Sequence, residues 1–150
     1  MRLVDYLDKG ASLDPEAPCF TTDGETRTYR EVQRLSVRVA AALAARGIAP
    51  GERVAVLSGN DPTAFTCVFG ISRAGAVWCP INPRNEAYEN RELLDLFGCT
   101  ALIYQASFSR WSPRSAMGCR RCGRWSVWRQ NSTTSSWTAL LISRPWMTWR

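Results

Sequence analysis

The stretch from residue 53 to residue 82 constrains the fold more than any other part of the chain. It opens with an apolar, β-branched run that has the length of a strand. Asp61 and Pro62 then predict a helix start, because an aspartate side chain caps free backbone N–H groups and a proline needs none in the first turn. Gly75 predicts the end of that helix, and a second apolar run follows at residues 76–79. A strand–helix–strand unit of this length implies parallel strands buried on both faces, so the fold class is α/β.

Upstream of this unit the sequence predicts a short opening helix, a hairpin and a long helix. The dipeptide Asp23-Gly24 is a strong hairpin signal, because both turn positions need a positive φ. Thr28 and Glu31 have the spacing of a capping box. Apolar residues follow at helical period, and Gly47 is expected to end the long helix.

Downstream, the second strand is expected to end at Pro80. A helix is predicted over about residues 85–97, and a third strand over 100–104. Residues 53–104 therefore form β-α-β-α-β, a partial doubly wound parallel sheet, preceded by the hairpin and the helix. From residue 109 the sequence has neither a helical nor an alternating period, so the C-terminal tail is predicted to be irregular.

The charge is distributed unevenly along the chain, although the net value is +6. All 13 acidic residues lie before Ser109, whereas residues 109–150 contain eight Arg, no acid and six of the seven Trp. One lysine against 18 arginines suggests GC-rich coding DNA. When residues 109–150 are back-translated with G or C at third codon positions and the frame is shifted by two bases, one admissible translation has acidic residues and helical periodicity. We therefore divide the chain after residue 108 and expect residues 109–150 to be an out-of-frame, unstructured Arg/Trp-rich tail.

Cysteine usage and the N-terminal sequence indicate a reducing compartment. The chain has six cysteines, and its first ten residues carry charges where a secretory signal would need an apolar region, so we expect a cytoplasmic location and no disulfide framework. Cys119 and Cys122 have CxxC spacing, but the chain has no histidine and lacks a second well-spaced ligand pair, so we predict no zinc site. No segment reaches the roughly 20 apolar residues of a membrane span.

Several short motifs, in order and spacing, resemble the N-terminal stretch of the AMP-forming acyl-CoA synthetases. These adenylate-forming enzymes include fatty-acid–CoA ligases, peptide-synthetase adenylation domains and luciferases. The resemblance covers about Leu3 to Phe108. Its motifs are TYREV at 28–32, GI at 47–48, GERVAV at 51–56, Asn60, AGAV at 74–77 and PINP at 80–83.

The resemblance implies a two-step parent reaction that uses ATP, Mg²⁺ and coenzyme A. A carboxylic or fatty acid would be converted to an acyl adenylate and then to an acyl-CoA. The phosphate loop, the metal-associated glutamate, the ribose-binding aspartate and the catalytic lysine of that family are expected beyond the matched region. The resemblance therefore implies that residues 1–108 are a truncated, inactive N-terminal part of an AMP-binding ligase domain, and it assigns this chain no catalytic, cofactor-binding or metal-binding residue.

A few residues could still contact ligands, and each has a structural alternative. Ser58, Gly59 and Asn60 follow a predicted parallel strand, at the edge where open α/β sheets bind ligands, but they also suit a strand-to-helix turn. Asn82 and Arg84 follow the next strand and have the same two interpretations. We favour the structural one for all five.

Two further groups were considered as binding elements. Phe65, Phe69 and Trp78 could line an acyl pocket, although apolar residues at such spacing usually belong to a core. The hydroxyl run Thr133-Thr134-Ser135-Ser136 has neither the glycine nor the following lysine that a phosphate loop requires.

The alternative function belongs to a different class. Arginine neutralises phosphates and tryptophan stacks on bases or lies at lipid interfaces, so the tail of residues 109–150 could make the chain a small basic protein that binds nucleic acid or a membrane surface. The coding DNA would discriminate the two interpretations.

Overall fold

A computed structural model describes residues 1–105 and 107–108, together with the backbone of residues 124–128. The chain divides into two compact units, which are described separately. The first contains residues 1–52 and 60–78, and the second contains residues 53–59 and 79–150. The described elements are, in order, α1 (Leu3–Leu13), β1 (Pro18–Thr22), β2 (Glu25–Thr28), α2 (Tyr29–Ala45), β3 (Arg53–Leu57), α3 (Pro62–Arg73), β4 (Val77–Ile81), α4 (Ala87–Leu96), β5 (Ala101–Gln105) and β6 (Arg124–Trp128).

The local signals of the first unit act as the sequence predicts. Strands β1 and β2 pair antiparallel, and the turn between them holds Asp23 and Gly24 at φ values of 52° and 81°. Thr28 and Glu31 form the capping box at the start of α2, with the Glu31 carboxylate accepting from the Thr28 backbone N–H at 2.9 Å. The hairpin and the long helix are therefore confirmed.

The third helix also begins and ends where its signals predict. The Asp61 carboxylate accepts hydrogen bonds from the backbone N–H groups of Thr63 at 2.7 Å and Ala64 at 3.3 Å. At the other end, Gly75 has a φ of 73°, the left-handed conformation that a terminating glycine supplies.

Helix α2 packs against α1 and α3, and Gly70 of α3 lies directly against α2. A Cβ atom placed on Gly70 would overlap the Val39 side chain, lying 2.5 Å from its Cβ, and would lie 3.1 Å from the backbone oxygen of Ser36. The absence of a side chain at Gly70 therefore sets how closely the two helices approach.

A polar network links the three helices of this unit. The Arg73 guanidinium binds the Asp8 carboxylate through two bonds, of 2.5 and 3.0 Å, and donates a third bond to the Ser36 hydroxyl at 3.2 Å. The Gln33 side chain also donates to Asp8, at 2.9 Å. The bond from Arg73 lowers the pKa of Asp8 below its ordinary value; desolvation opposes this, and the bond from Gln33 adds to it.

The second unit is built on a four-stranded sheet of order β4-β3-β5-β6. Strands β3 and β5 are parallel, in register from the Val54–Ala101 pair to the Leu57–Tyr104 pair. Helix α4 contributes Leu94 to the core of this sheet. The predicted α/β class and the partial parallel sheet are confirmed. The buried core consists of Ala55, Leu57, Cys79, Ile81, Leu94, Cys99, Leu102 and Tyr104.

Two strand predictions need correction. Strand β4 does not end at Pro80 but continues to Ile81. It lies at an edge of the sheet, where a residue without a backbone N–H need not interrupt a hydrogen-bonded ladder.

Residues 124–128 form β6, parallel to β5, although the tail was predicted to be irregular. The backbone groups of β5 would otherwise be open on that side, and Trp and Val favour strands. The rest of residues 109–150 lies outside the described part.

Replacing Gly70 should test the close packing of α2 and α3, because the cost of a side chain there should depend on the side chain at position 39. We expect Gly70→Ala to lower the free energy of unfolding by about 1–3 kcal/mol, the usual cost of overpacking. In a Val39→Gly background the same change should cost clearly less, because both the Cβ and the methyl groups that overlap the new side chain are gone and alanine favours helix more than glycine. Urea unfolding of the four proteins measures both effects, and equal destabilisation in both backgrounds would contradict the packing explanation.

The Asp8 network should make stability depend on pH in the acid range. Because the folded state lowers the pKa of Asp8, its contribution is present above the unfolded pKa of about 3.9 and is lost as pH falls through the folded pKa. Asp8→Asn should therefore lower the free energy of unfolding at pH 7 by about 0.5–1 kcal/mol, and this difference should shrink as pH falls through the lowered pKa of the folded state. Asp95→Asn, at an exposed position on α4, is the matched control. A pH-independent difference for Asp8→Asn would refute the charge effect.

Candidate functional site

Polar residues lie where strands of the second unit end. Ser58 directly follows β3, Asn82 directly follows β4, and Gln105 is the last residue of β5. Open parallel sheets bind ligands at the carboxyl ends of their strands, so this edge is the candidate site. Its local geometry separates side chains that support loops from those that face solvent.

The loop after β3 is tied to the end of β5. The Ser58 hydroxyl donates to the Gln105 side-chain oxygen at 3.0 Å, which gives Ser58 the structural role that we favoured. A Cβ placed on Gly59 would meet no atom within 4 Å, so the backbone there faces open space. Asn60 is exposed, and within the described residues its side chain has no hydrogen bond that could support the loop.

The loop between β4 and α4 is organised around Asn82. The Asn82 side-chain oxygen accepts from the backbone N–H of Arg84 at 3.0 Å. Its backbone oxygen accepts from the N–H of Asn85 at 3.3 Å and from the side-chain amide of Asn90 at 3.1 Å. The Arg84 side chain is exposed at this turn. The two candidates Asn82 and Arg84 are thus brought together in one turn.

Sequence reasoning missed two residues of this edge. Gln105 gave no signal, because it is simply the last residue of an apolar strand. Asn90 gave a weak one, since it lies four residues before Leu94 and therefore on the same face of α4. A polar residue at a core position of a helix points to a specific partner, which is here the loop after β4.

The aromatic candidates are part of the packing of the first unit. Phe69 is 8% exposed and stacks on Phe20 with ring centroids 6.4 Å apart. Phe65 packs edge-on against both rings but stays 44% exposed. Trp78 is 41% exposed and makes no ring contact with the trio within the described residues. The ring contacts therefore join Phe65 and Phe69 to Phe20 and leave Trp78 outside the cluster.

The titratable groups with shifted pKa values offer no general base. Burial raises the pKa of the Cys67 thiol well above its ordinary value, an effect to which the Asp61 charge adds. Burial also raises the pKa of Tyr104. Both groups are therefore neutral near pH 7, and a nucleophile or base would need the opposite shift.

The described residues contain neither a cluster of metal-ligand side chains nor a glycine-rich loop with a lysine. Over residues 1–105 and 107–108 there is no group of three Cys, Asp or Glu side chains that could hold a cation. The single lysine of the sequence, Lys9, is exposed on α1 and follows no glycine-rich loop. The hydroxyl run at residues 133–136 and the cysteine pair Cys119 and Cys122 lie outside the described residues. No described helix is long and apolar enough to cross a membrane.

Comparison with known proteins supplies the family. Residues 7–139 match the AMP-binding enzyme family, and the chain belongs to it. Among its relatives, the fatty acid–[acyl-carrier-protein] ligase ScoC of Streptomyces coeruleorubidus is 36% identical over 106 residues, which are 71% of this chain and 20% of that protein. A feruloyl-CoA synthase of an Amycolatopsis species is 36% identical over 94 residues, 63% of this chain and 19% of the relative.

Solved structures agree with the family at the level of the fold. The N-terminal domain of FACL13 from Mycobacterium tuberculosis matches 85% of this chain and 34% of that chain, with a TM-score of 0.75 and 27% identity. The structure of a putative long-chain-fatty-acid CoA ligase from Rhodopseudomonas palustris matches 98% of this chain and 39% of that chain, with a TM-score of 0.77. At 20% identity, this second likeness concerns the fold alone. The chain spans about a fifth of the length of the two curated relatives.

Proposed function

We propose that the chain is part of an ATP-dependent ligase that activates a carboxylic or fatty acid and transfers it to coenzyme A. The observation that carries this proposal is the match of residues 7–139 to the AMP-binding enzymes. The names of the relatives support it, because a fatty acid–[acyl-carrier-protein] ligase, a feruloyl-CoA synthase and an indoleacetate–CoA ligase each name an acyl group together with a carrier protein or CoA. The particular acid is not part of the proposal.

The proposed reaction has two balanced steps. An oxygen of the carboxylate attacks the α-phosphorus of ATP, and pyrophosphate leaves as the acyl adenylate forms. The sulfur of the coenzyme A thiol then attacks the acyl carbon, the bond to the adenylate oxygen breaks, and AMP leaves while the thiol proton passes to solvent. Mg²⁺ would offset phosphate charge where it is bound, but the described residues offer it no ligand group.

We further propose that this chain is an inactive fragment of such a ligase. It spans 20% of the length of ScoC, and its described residues supply neither a phosphate loop nor a cluster of acidic ligands. Adenylation needs fixed donors around the triphosphate, because charge develops on the phosphate oxygens in the transition state. A cytoplasmic location stays a prediction from the sequence.

The tail of residues 109–150 is proposed to be read out of frame. Its eight arginines without a single acid, after a segment that holds all 13 acids, support a change of frame near Ser109. The family match extends to residue 139, and β6 lies at residues 124–128, so both reach into the tail. The alternative function, a nucleic-acid- or membrane-binding module that uses this tail, is not supported by these comparisons.

Enzyme assays should separate the fragment from the family assignment. Pyrophosphate exchange and acyl-CoA formation are measured with fatty, aryl and indolyl carboxylic acids, for the 150-residue chain and for a frame-restored, extended version. We expect no turnover from the chain and turnover from the extended version, with reactions lacking the acid as the control. Turnover by the chain would refute the fragment proposal, whereas an inactive extended version would refute the ligase proposal.

The coding DNA should show the change of frame directly. We expect that, from about codon 109, a frame displaced by two bases encodes a continuation with acidic residues and helical period, and that this continuation matches the AMP-binding family better than residues 109–150 do. Reading the nucleotide sequence and comparing all three frames tests this. If the existing frame gives the best family match throughout, the out-of-frame proposal is wrong.

A further inference from the structure

The side chain of Asn90 is buried in a position that usually holds an apolar residue. Its exposed fraction is 0%, and Leu94, one turn later on α4, is the other buried residue of that helix. Buried amides are normally hydrogen-bonded through both their polar atoms, because an unpaired one loses its contacts with water. The partners of Asn90 therefore decide what this residue does.

The amide nitrogen of Asn90 has one specific partner. It donates to the backbone oxygen of Asn82 at 3.1 Å, spanning eight residues across the β4–α4 loop. The same oxygen accepts from the N–H of Asn85, and the Asn82 side chain accepts from the N–H of Arg84. Three hydrogen bonds thus converge on Asn82, and one of them comes from the helix core.

The side-chain oxygen of Asn90 is buried and has no donor among the described residues. Leaving such an acceptor unpaired costs at least as much as one neutral hydrogen bond contributes. An apolar side chain of the same branched shape, such as leucine, would avoid this cost. The asparagine is therefore a poor choice for global stability, and its single hydrogen bond to the loop needs another explanation.

We propose that Asn90 is a positioning residue, which fixes the β4–α4 loop so that Arg84 is held at the carboxyl edge of the sheet. This inference rests on the proposed function, since that edge is where a parallel α/β enzyme binds its ligands. The Arg84 side chain is exposed and has no partner within the described residues. The loop geometry, rather than the global fold, is what Asn90 maintains.

The test compares amide hydrogen exchange in the 150-residue chain and in Asn90→Leu, together with urea unfolding. The reporters are the N–H groups of Arg84 and Asn85, normalised to those of strand β3. We expect about five- to tenfold faster exchange at both reporters, the effect of one lost neutral hydrogen bond, with unchanged or increased global stability. Unchanged reporter exchange, or faster exchange spread evenly over loop and strand, would overturn the proposal.

Two further variants keep the test decisive. Asn82→Ala keeps the backbone oxygen that Asn90 binds but removes the bond to the Arg84 N–H, so it should accelerate exchange at Arg84 more than at Asn85. If Asn90→Leu does not fold, Asn90→Ala replaces it, because the ratio of loop to strand exchange corrects for a general loss of stability. No substrate is involved, so a failed ligase assay and a failed exchange test refute different proposals.

Discussion

The burial of strand β3 is the constraint on which the second unit depends. All four residues of the strand after Arg53 are at most 7% exposed, so β3 has no solvent-facing side. A strand of this kind carries a continuous apolar run instead of an alternating one, and it needs a parallel neighbour on its edge. Strand β5 supplies that neighbour, and α4 places Leu94 in the same core. The pairing of distant strands follows from this single requirement.

The first unit is organised by a different interaction, in which a polar network accompanies close helix packing. Arg73 is partly buried, with 21% of its side chain exposed, and so its charge needs a partner. Asp8 provides the partner from α1, and Ser36 accepts a further bond from α2. The small residue at position 70 allows α2 and α3 to approach each other closely. Packing and charge pairing thus hold the same three helices.

At the candidate site, some polar side chains stabilise the loops and others are exposed to solvent. Ser58 and Asn82 both use their side-chain oxygens for loop hydrogen bonds. Arg84 and Asn60 instead point their polar groups to solvent. Membership of the AMP-binding family accounts for the arrangement of strands and loops, while the chemistry of the proposed ligase needs donors and acids that these described residues do not supply.

The sequence by itself determined the elements whose causes are local. A turn with two positive φ values, a capping box and a capping aspartate each depend on side chains within four residues, so Asp23-Gly24, Thr28 and Asp61 could be read directly. Only the tertiary structure decided which distant groups meet. The Ser58–Gln105 bond spans 47 positions and the Asp8–Arg73 pair spans 65, and no local pattern encodes either. The continuation of β4 past Pro80, the pairing of β6 and the burial of Asn90 have the same origin, because each depends on what lies beside the residue in space and not along the chain.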